Sequence, residues 1–424
     1  MLYSRRRSFY RWMMFLGAFG MIVLLSCSGR QTSPETSPNA IVQANTEFDD
    51  GFGYSTALSA DGATLAVGAP GENSLATGIG GNQADNSAES AGAVYLFTRS
   101  SAGQSQQVYV KASNTEPYDF FGQTIALSAE GATLAVGAPG ESSLATGIDG
   151  NQVDNSAPGA GAVYLFARSN TGWVQQAYVK PSNTESYDFF GRSVALSADG
   201  TILAVGAPGE SSLATGIDGN QTDNSAPGAG AVYLFARSSA GWSQQAYVKP
   251  SNPGSSDGFG ESMAFSADGT TLAVGATGES SLATGIGGNQ TDDSAPGAGA
   301  VYLFTRSNTG WSQQAYVKPS NPGGSDIFGQ SVALSADGAI LTVGAIGESG
   351  LATGIGDNQT DNSVPGAGAV YLFTSSSAGW SQQAHVKASN TGGSDGFGQP
   401  VALSAVALMG ETAMELSNPR RVGT

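Results

Sequence analysis

The 424-residue chain carries 61 Gly, 17 Pro and only 12% charged residues, too little charge and too many turn formers for a coiled coil or helix bundle. Its 34 acidic against 17 basic residues give a net charge of −17, and residues 1–26 hold four Arg and no acid, so the remainder carries 34 acids against 13 bases, or −21. Phosphate contacts need clustered Lys and Arg, which argues against a nucleic-acid partner; one Cys excludes an intramolecular disulfide, and one His argues against His-based metal sites and Ser-His-Asp or Cys-His catalysis.

Arg5, Arg6, Arg7 and Arg11 precede an apolar run over residues 12–25, the order of an export signal. That run is short of the roughly 20 residues a membrane span needs. Leu24-Leu25-Ser26-Cys27 resembles a bacterial lipobox, which implies a signal peptide over 1–26 and a diacylated Cys27 as the new N-terminus. Ser28 after it implies outer-membrane sorting in bacteria that have one. An ordinary signal peptide or an uncleaved anchor is the alternative, and Arg6-Arg7-Ser8-Phe9 also resembles a twin-arginine core, so Sec and Tat export both stay open. Acyl chains contribute about 0.8 kcal/mol per buried methylene, so attachment needs no hydrophobic helix in the mature chain. Residues 27–39, polar with Ser and Pro, read as a flexible tether.

From there Phe-Gly recurs at Phe52, Phe121, Phe190, Phe259, Phe328 and Phe397, with a spacing of 69 each time. A period of this size built from short strands signals a propeller or solenoid, because each unit must bury its faces against the next. In the third unit, strands are predicted over 193–196 and 202–205, joined by a tight Asp199-Gly200 hairpin, then over 231–235, apolar enough to be covered on both faces, and over 244–248. Four antiparallel strands per unit make a propeller blade.

Phe-Gly followed by Gly-Ala-Pro, at Gly68-Ala69-Pro70, Gly137-Ala138-Pro139 and Gly206-Ala207-Pro208, resembles the FG-GAP repeat of integrin α-subunit propellers and of many bacterial surface proteins. The fourth and fifth copies read Gly275-Ala276-Thr277 and Gly344-Ala345-Ile346, without the Pro. The expected fold is an all-β propeller over residues 40–405: five complete repeats plus an incomplete sixth, closed by an N-terminal strand at 40–43. An open arc of five blades is the alternative. Residues 406–424 form a divergent tail, and a truncated or frameshifted reading frame accounts for the break as well.

The resemblance also implies a calcium loop of the form D-x-D-x-D-G-x-x-D between the first two strands. Here that turn is only SADGATL, SAEGATL or SADGTIL, too few oxygens for an ion that takes six to eight, so the site is not carried over. Asp61, Asp199, Asp268 and Asp337 read as turn residues. The connection between strands two and three spans some twenty residues and repeats Asn and Asp at Asn82 and Asp85, Asn151 and Asp154, Asn220 and Asp223, Asn289 and Asp292, Asn358 and Asp361. With Asp149 and Asp218, the second and third sets are weak calcium candidates; the favoured reading is that these side chains bond their own backbone.

A second ring of acids, Asp50, Asp119, Asp188, Asp257, Asp326 and Asp395, stands two residues before each Phe-Gly. With Asn151, Asp154, Asn220 and Asp223 it is the expected interaction face. Loop capping and solubility are the plainer account of the same residues. Trp173, Trp242, Trp311 and Trp380 open the outer strands and read as packing, and His385 replaces a strand Tyr. Near-identical blades argue against catalysis, which needs differently tuned groups in one pocket. The expectation is an envelope-anchored noncatalytic propeller that binds a protein or glycan, without a required cofactor. The alternatives are a propeller enzyme acting on polysaccharide with carboxylate chemistry, or a decaying gene product.

Overall fold

The computed structural model describes residues 49–100, 103–356, 359 and 361–403. In the third unit the strands Ser193–Leu196, Ile202–Ala207, Ala231–Ser238 and Gly241–Val248 pair antiparallel in sequence order. They contain the four predicted segments and extend three of them. The first hairpin turns where expected: Asp199 Oδ1 accepts from Ser197 Oγ at 2.5 Å and from the Thr201 N–H at 3.0 Å, and Gly200 takes a φ of +68° that suits glycine. The third strand is buried over Ala231 to Phe235, covered on both faces as its apolar run requires. A register shift between Leu234 and Phe235 adds twist against the outer strand.

Among the described residues there are five such sheets. In the fifth, Gly354–Ile355 pairs with the outer strand as an extra short strand, at the place where the other sheets have a single bridge such as Ile217 to Val248. The first strands of successive sheets pack on one another, which sets them innermost and the fourth strands outermost. The chain is therefore an all-β protein of four-stranded antiparallel propeller blades.

Strand alternation divides each blade's side chains between two neighbours. Val163, Leu165 and Val179 of the second blade form one core with Leu203, Val205, Tyr233 and Phe235 of the third, while Ala204, Val232 and Leu234 face forward to the fourth. Burial of each large apolar side chain contributes about 1.5–3 kcal/mol, so most of the stability resides in these seams. Trp173, Trp242, Trp311 and Trp380 pack against the same clusters, one per seam.

Both halves of the repeat signature meet at the seam. Gly206, of Gly-Ala-Pro, lies opposite Ser193, and a Cβ on it would overlap the carbonyl oxygen of Gly260, the Phe-Gly glycine of the next blade. Ser193 Oγ donates to that same carbonyl at 2.6 Å. Equivalent bonds join Ser55 to Gly122, Thr124 to Gly191, Ser262 to Gly329 and Ser331 to Gly398. The signature Phe190 is fully buried, edge-on to Tyr233 and Phe235 at 5.5 and 6.1 Å. Near the hairpin turns, a chain of backbone bonds runs from the Ala60 N–H to Ala129, from Ala129 to Ala198, from Ala198 to Ala267 and from Ala267 to Ala336, each 2.8–2.9 Å.

The sixth unit contributes Phe397, bridged to Gly368, and Gly398, which completes the seam with the fifth blade; residues 399–403 carry no assigned strand. The signal segment, Cys27, the tether, the closing strand expected at 40–43 and the tail at 406–424 lie outside the described residues. The fifth blade's far face is covered less than its counterparts. Val370, Leu372, Ala384 and Val386 are half-buried, whereas Val301, Leu303, Ala315 and Val317 of the fourth blade are buried, and Thr342 replaces the small alanine of the other second strands. No helix among the described residues is long and apolar enough to cross a membrane.

Candidate functional site

The acidic ring expected on the surface lies beneath it. Asp50, Asp119, Asp188, Asp257 and Asp326 are buried and Asp395 is half-buried. Both neighbours of Asp188 have left-handed backbone, Tyr187 at φ +66° and Phe189 at +55°, and this geometry turns the carboxylate inward to accept the Glu185 N–H at 3.1 Å. Asp119, Asp257, Asp326 and Asp395 likewise accept an N–H three residues upstream, at 3.0, 2.7, 2.6 and 2.8 Å. Burial, followed by repulsion from Glu141 or Glu210, pushes Asp119 and Asp188 up to about 8, and burial pushes Asp257 and Asp326 up to about 7. Buried, Asp50, Asp119, Asp188, Asp257 and Asp326 do not present their carboxylates on the surface as their spacing suggested.

The loop amides and carboxylates are occupied by backbone. Asp85, Asp154, Asp223, Asp292 and Asp361 accept the N–H of Leu75, Leu144, Leu213, Leu282 and Leu351, ten residues upstream, at 2.8–3.3 Å. Asn82, Asn151, Asn220 and Asn289 accept the N–H two residues on, while Asp149 and Asp218 accept Tyr178 N–H and Tyr247 N–H, each at 2.9 Å. Asn358 lies outside the described residues. Hydrogen bonds hold Asp85, Asp154, Asp223, Asp292 and Asp361 below the usual carboxylate range. No group of three or more His, Cys, Asp or Glu able to hold a metal occurs among the described residues. Millimolar calcium is expected to leave the melting midpoint unchanged; a rise that saturates with calcium would place an ion on these loops.

Each blade also buries a charged group that the sequence did not reveal. Glu210 accepts Tyr247 Oη and Lys249 Nζ, each at 2.7 Å, and Lys249 donates in addition to the Gly230 carbonyl at 2.6 Å. Glu72, Glu141 and Glu279 hold Tyr and Lys in the same way; in the fifth blade Lys387 bonds Glu348 and His385 stands in for Tyr, 3.8 Å from that carboxylate. Burial lowers the Lys111, Lys180, Lys249 and Lys318 ammonium groups from their ordinary value. Bonded in this way, the Glu and Lys of each blade clamp the outer strand to the start of the long loop and are structural.

A different place distinguishes the near-identical blades. A cavity of about 350 Å³ is lined by Phe120, Gln123, Pro139, Gly140, Phe189, Arg192, Pro208 and Glu261. Gln123, Arg192 and Glu261 directly follow Phe-Gly in blades two to four, where blade one has Tyr54 and the last two units have Gln330 and Gln399. Arg192 donates through Nε and Nη2 to Glu261 Oε1 at 3.1 and 2.9 Å, and Tyr54 of the first blade also interacts with the guanidinium. Phe120 and Phe189 form apolar walls from left-handed backbone, at φ +56° and +55°. Blades one and four and the sixth unit place Gly51, Gly258 and Gly396 there, and blade five places Ile327 at φ +58°. A left-handed residue with a side chain costs roughly 1–2 kcal/mol, so two phenyl rings are held at a strained position that glycine fills without cost. Tyr187, 61% exposed, leans on Phe189 at 6.3 Å.

The FG-GAP repeat family matches this chain over residues 173–235 and 311–373. The propeller thus carries FG-GAP repeats in two places. No curated protein matches it. Similar solved structures include a Lactobacillus plantarum protein at 13% identity and TM-score 0.43, covering 79% of this chain and 70% of that one. The Pseudomonas aeruginosa periplasmic gluconolactonase PpgL is 17% identical with TM-score 0.44, over 82% and 74% of the two chains. Kuenenia stuttgartiensis hydrazine synthase is 12% identical with TM-score 0.43, over 83% and 77%.

Proposed function

We propose that this chain is an exported, lipid-anchored, noncatalytic binding propeller of the bacterial envelope whose ligand enters the cavity between blades two, three and four. The observation that carries the reading is the divergence of nearly identical repeats at that cavity, with strain retained in Phe120 and Phe189, whose side chains line it. Support for a noncatalytic role comes from the lining itself. Glu261 is its one carboxylate among the described lining residues and is bonded by Arg192, whereas glycoside hydrolysis of the usual kind takes two. Export and anchoring rest on the signal-like segment and the lipobox resemblance at Cys27.

The test is retention of envelope proteins and glycans by the immobilised mature chain. The parent should retain a fraction that a Phe120→Gly/Phe189→Gly chain does not, since glycine already fills these places in other blades and relieves strain. Equal retention by both chains would reject the cavity. Turnover of a polysaccharide that disappears in Glu261→Gln would replace the binding reading with the enzymatic one.

A further inference from the structure

We infer that the cavity takes one neutral pyranose unit of a glycan, an inference that rests on the cavity being the ligand site. Its lining residues are of two kinds. Phe120, Phe189, Pro139 and Pro208 are apolar, while Gln123, Arg192 and Glu261 are polar and planar. A pyranose has the same division: a face of polarised C–H bonds and a rim of hydroxyls, each both donor and acceptor. Phenyl faces carry negative quadrupole density and match the C–H side. An amide, a guanidinium and a carboxylate together supply the donors and acceptors that a hydroxyl rim needs.

Charge narrows the class further. Arg192 and Glu261 contribute one charge of each sign and already neutralise one another, so the cavity has no net charge to recruit an ionic ligand. An acidic sugar would in addition approach a chain with a formal charge of −17. The pair engages Glu261 through Oε1, and Oε2 takes no part in it. A volume of about 350 Å³ lies at the small end of ligand cavities, suited to one ring rather than several. The Arg192 side chain is 36% exposed, so the rest of a glycan has a way out to solvent.

The aromatic Tyr-Asp-Phe sequence is also confined to blades two and three. Blades two and three begin with Tyr118-Asp119-Phe120 and Tyr187-Asp188-Phe189, whereas the later units begin with Ser256-Asp257-Gly258, Ser325-Asp326-Ile327 and Ser394-Asp395-Gly396. Tyr187, which packs on Phe189, extends the aromatic surface beyond the cavity, and Tyr118 is likewise more than half exposed.

The test titrates the mature chain with the methyl glycosides of glucose, galactose, mannose and N-acetylglucosamine and with glucuronic acid, following ligand protons by saturation-transfer NMR. At least one neutral glycoside should bind, with transfer strongest to the C–H protons of one ring face. Gln123→Ala, which leaves the seams intact, should weaken it about tenfold, the worth of one hydrogen bond, and Phe120→Gly/Phe189→Gly should abolish it. Unchanged binding in both variants, or preference for the uronic acid, overturns the inference. Failure of every glycoside while envelope capture still depends on Phe120 and Phe189 overturns the sugar and leaves the cavity; failure of both overturns the two together.

Discussion

Gly206→Ala is expected to lower stability by about 3 kcal/mol, the upper range for overpacking, although it adds a single methyl group. The new Cβ meets backbone, the Gly260 carbonyl, and the Ser193 hydroxyl bonded to it, so no flexible side chain can move aside. Relief requires the third and fourth blades to separate, which exposes the shared core of Val232, Leu234, Leu272 and Val274. Gly216→Ala is the control. Nothing lies within 4 Å of its Cβ position and only the φ of +73° is strained, so it should cost about 1 kcal/mol. Urea unfolding of the two variants beside the parent measures the difference; equal midpoints would mean that the glycine interlock is not what holds the seam.

The melting temperature is expected to fall as pH rises from about 4.5 to 8. Asp119 and Asp188 at about 8, and Asp257 and Asp326 at about 7, sit far above their ordinary value of 3.8, so the folded chain holds protons that the unfolded chain has released. Stability from such groups is complete below the unfolded value and is lost as pH climbs through the folded one. The surrounding charges are Glu116, Glu141 and Lys111 for Asp119; Glu185, Glu210 and Lys180 for Asp188; Glu279, Asp293 and Lys249 for Asp257; and Glu348, Lys318 and Lys387 for Asp326. Exposed turn carboxylates such as Asp199 and Asp223 are shifted below their ordinary value of 3.8, so their contribution is lost only as pH falls below this window, while burial lowers the Lys249 ammonium from its ordinary value. Asp188→Asn keeps an acceptor for the Glu185 N–H and removes one titration, so this chain should melt above the parent at pH 8 and lose less on going from pH 5 to 8. A parent melting curve that is flat across this window would remove the buried protons from the account.

The blades were legible because period-two strands, an Asp-Gly turn and a 69-residue repeat all specify the same sheet. The pairing of Gly206 with Gly260 was not, since spacing says that a unit repeats without saying which of its atoms touches the next copy. The acidic ring misled for a related reason. Charge suggests exposure, but two left-handed residues around Asp188 reverse its direction, and only φ reveals that. Glu210 lies 37 and 39 residues before Tyr247 and Lys249, and the three read separately as loop and strand residues until the sheet brings them together. The cavity did leave a trace: Tyr54, Gln123, Arg192 and Glu261 vary at one position among near-copies, and Tyr-Asp-Phe marks blades two and three alone among the described units.

The seams also bear on how firmly the recess is held. In repeat folds each unit is steadied by the units it packs against. Phe120, Arg192 and Glu261 belong to blades two, three and four, each with an apolar core on both of its faces, so local melting elsewhere in the molecule can proceed while the recess keeps its shape.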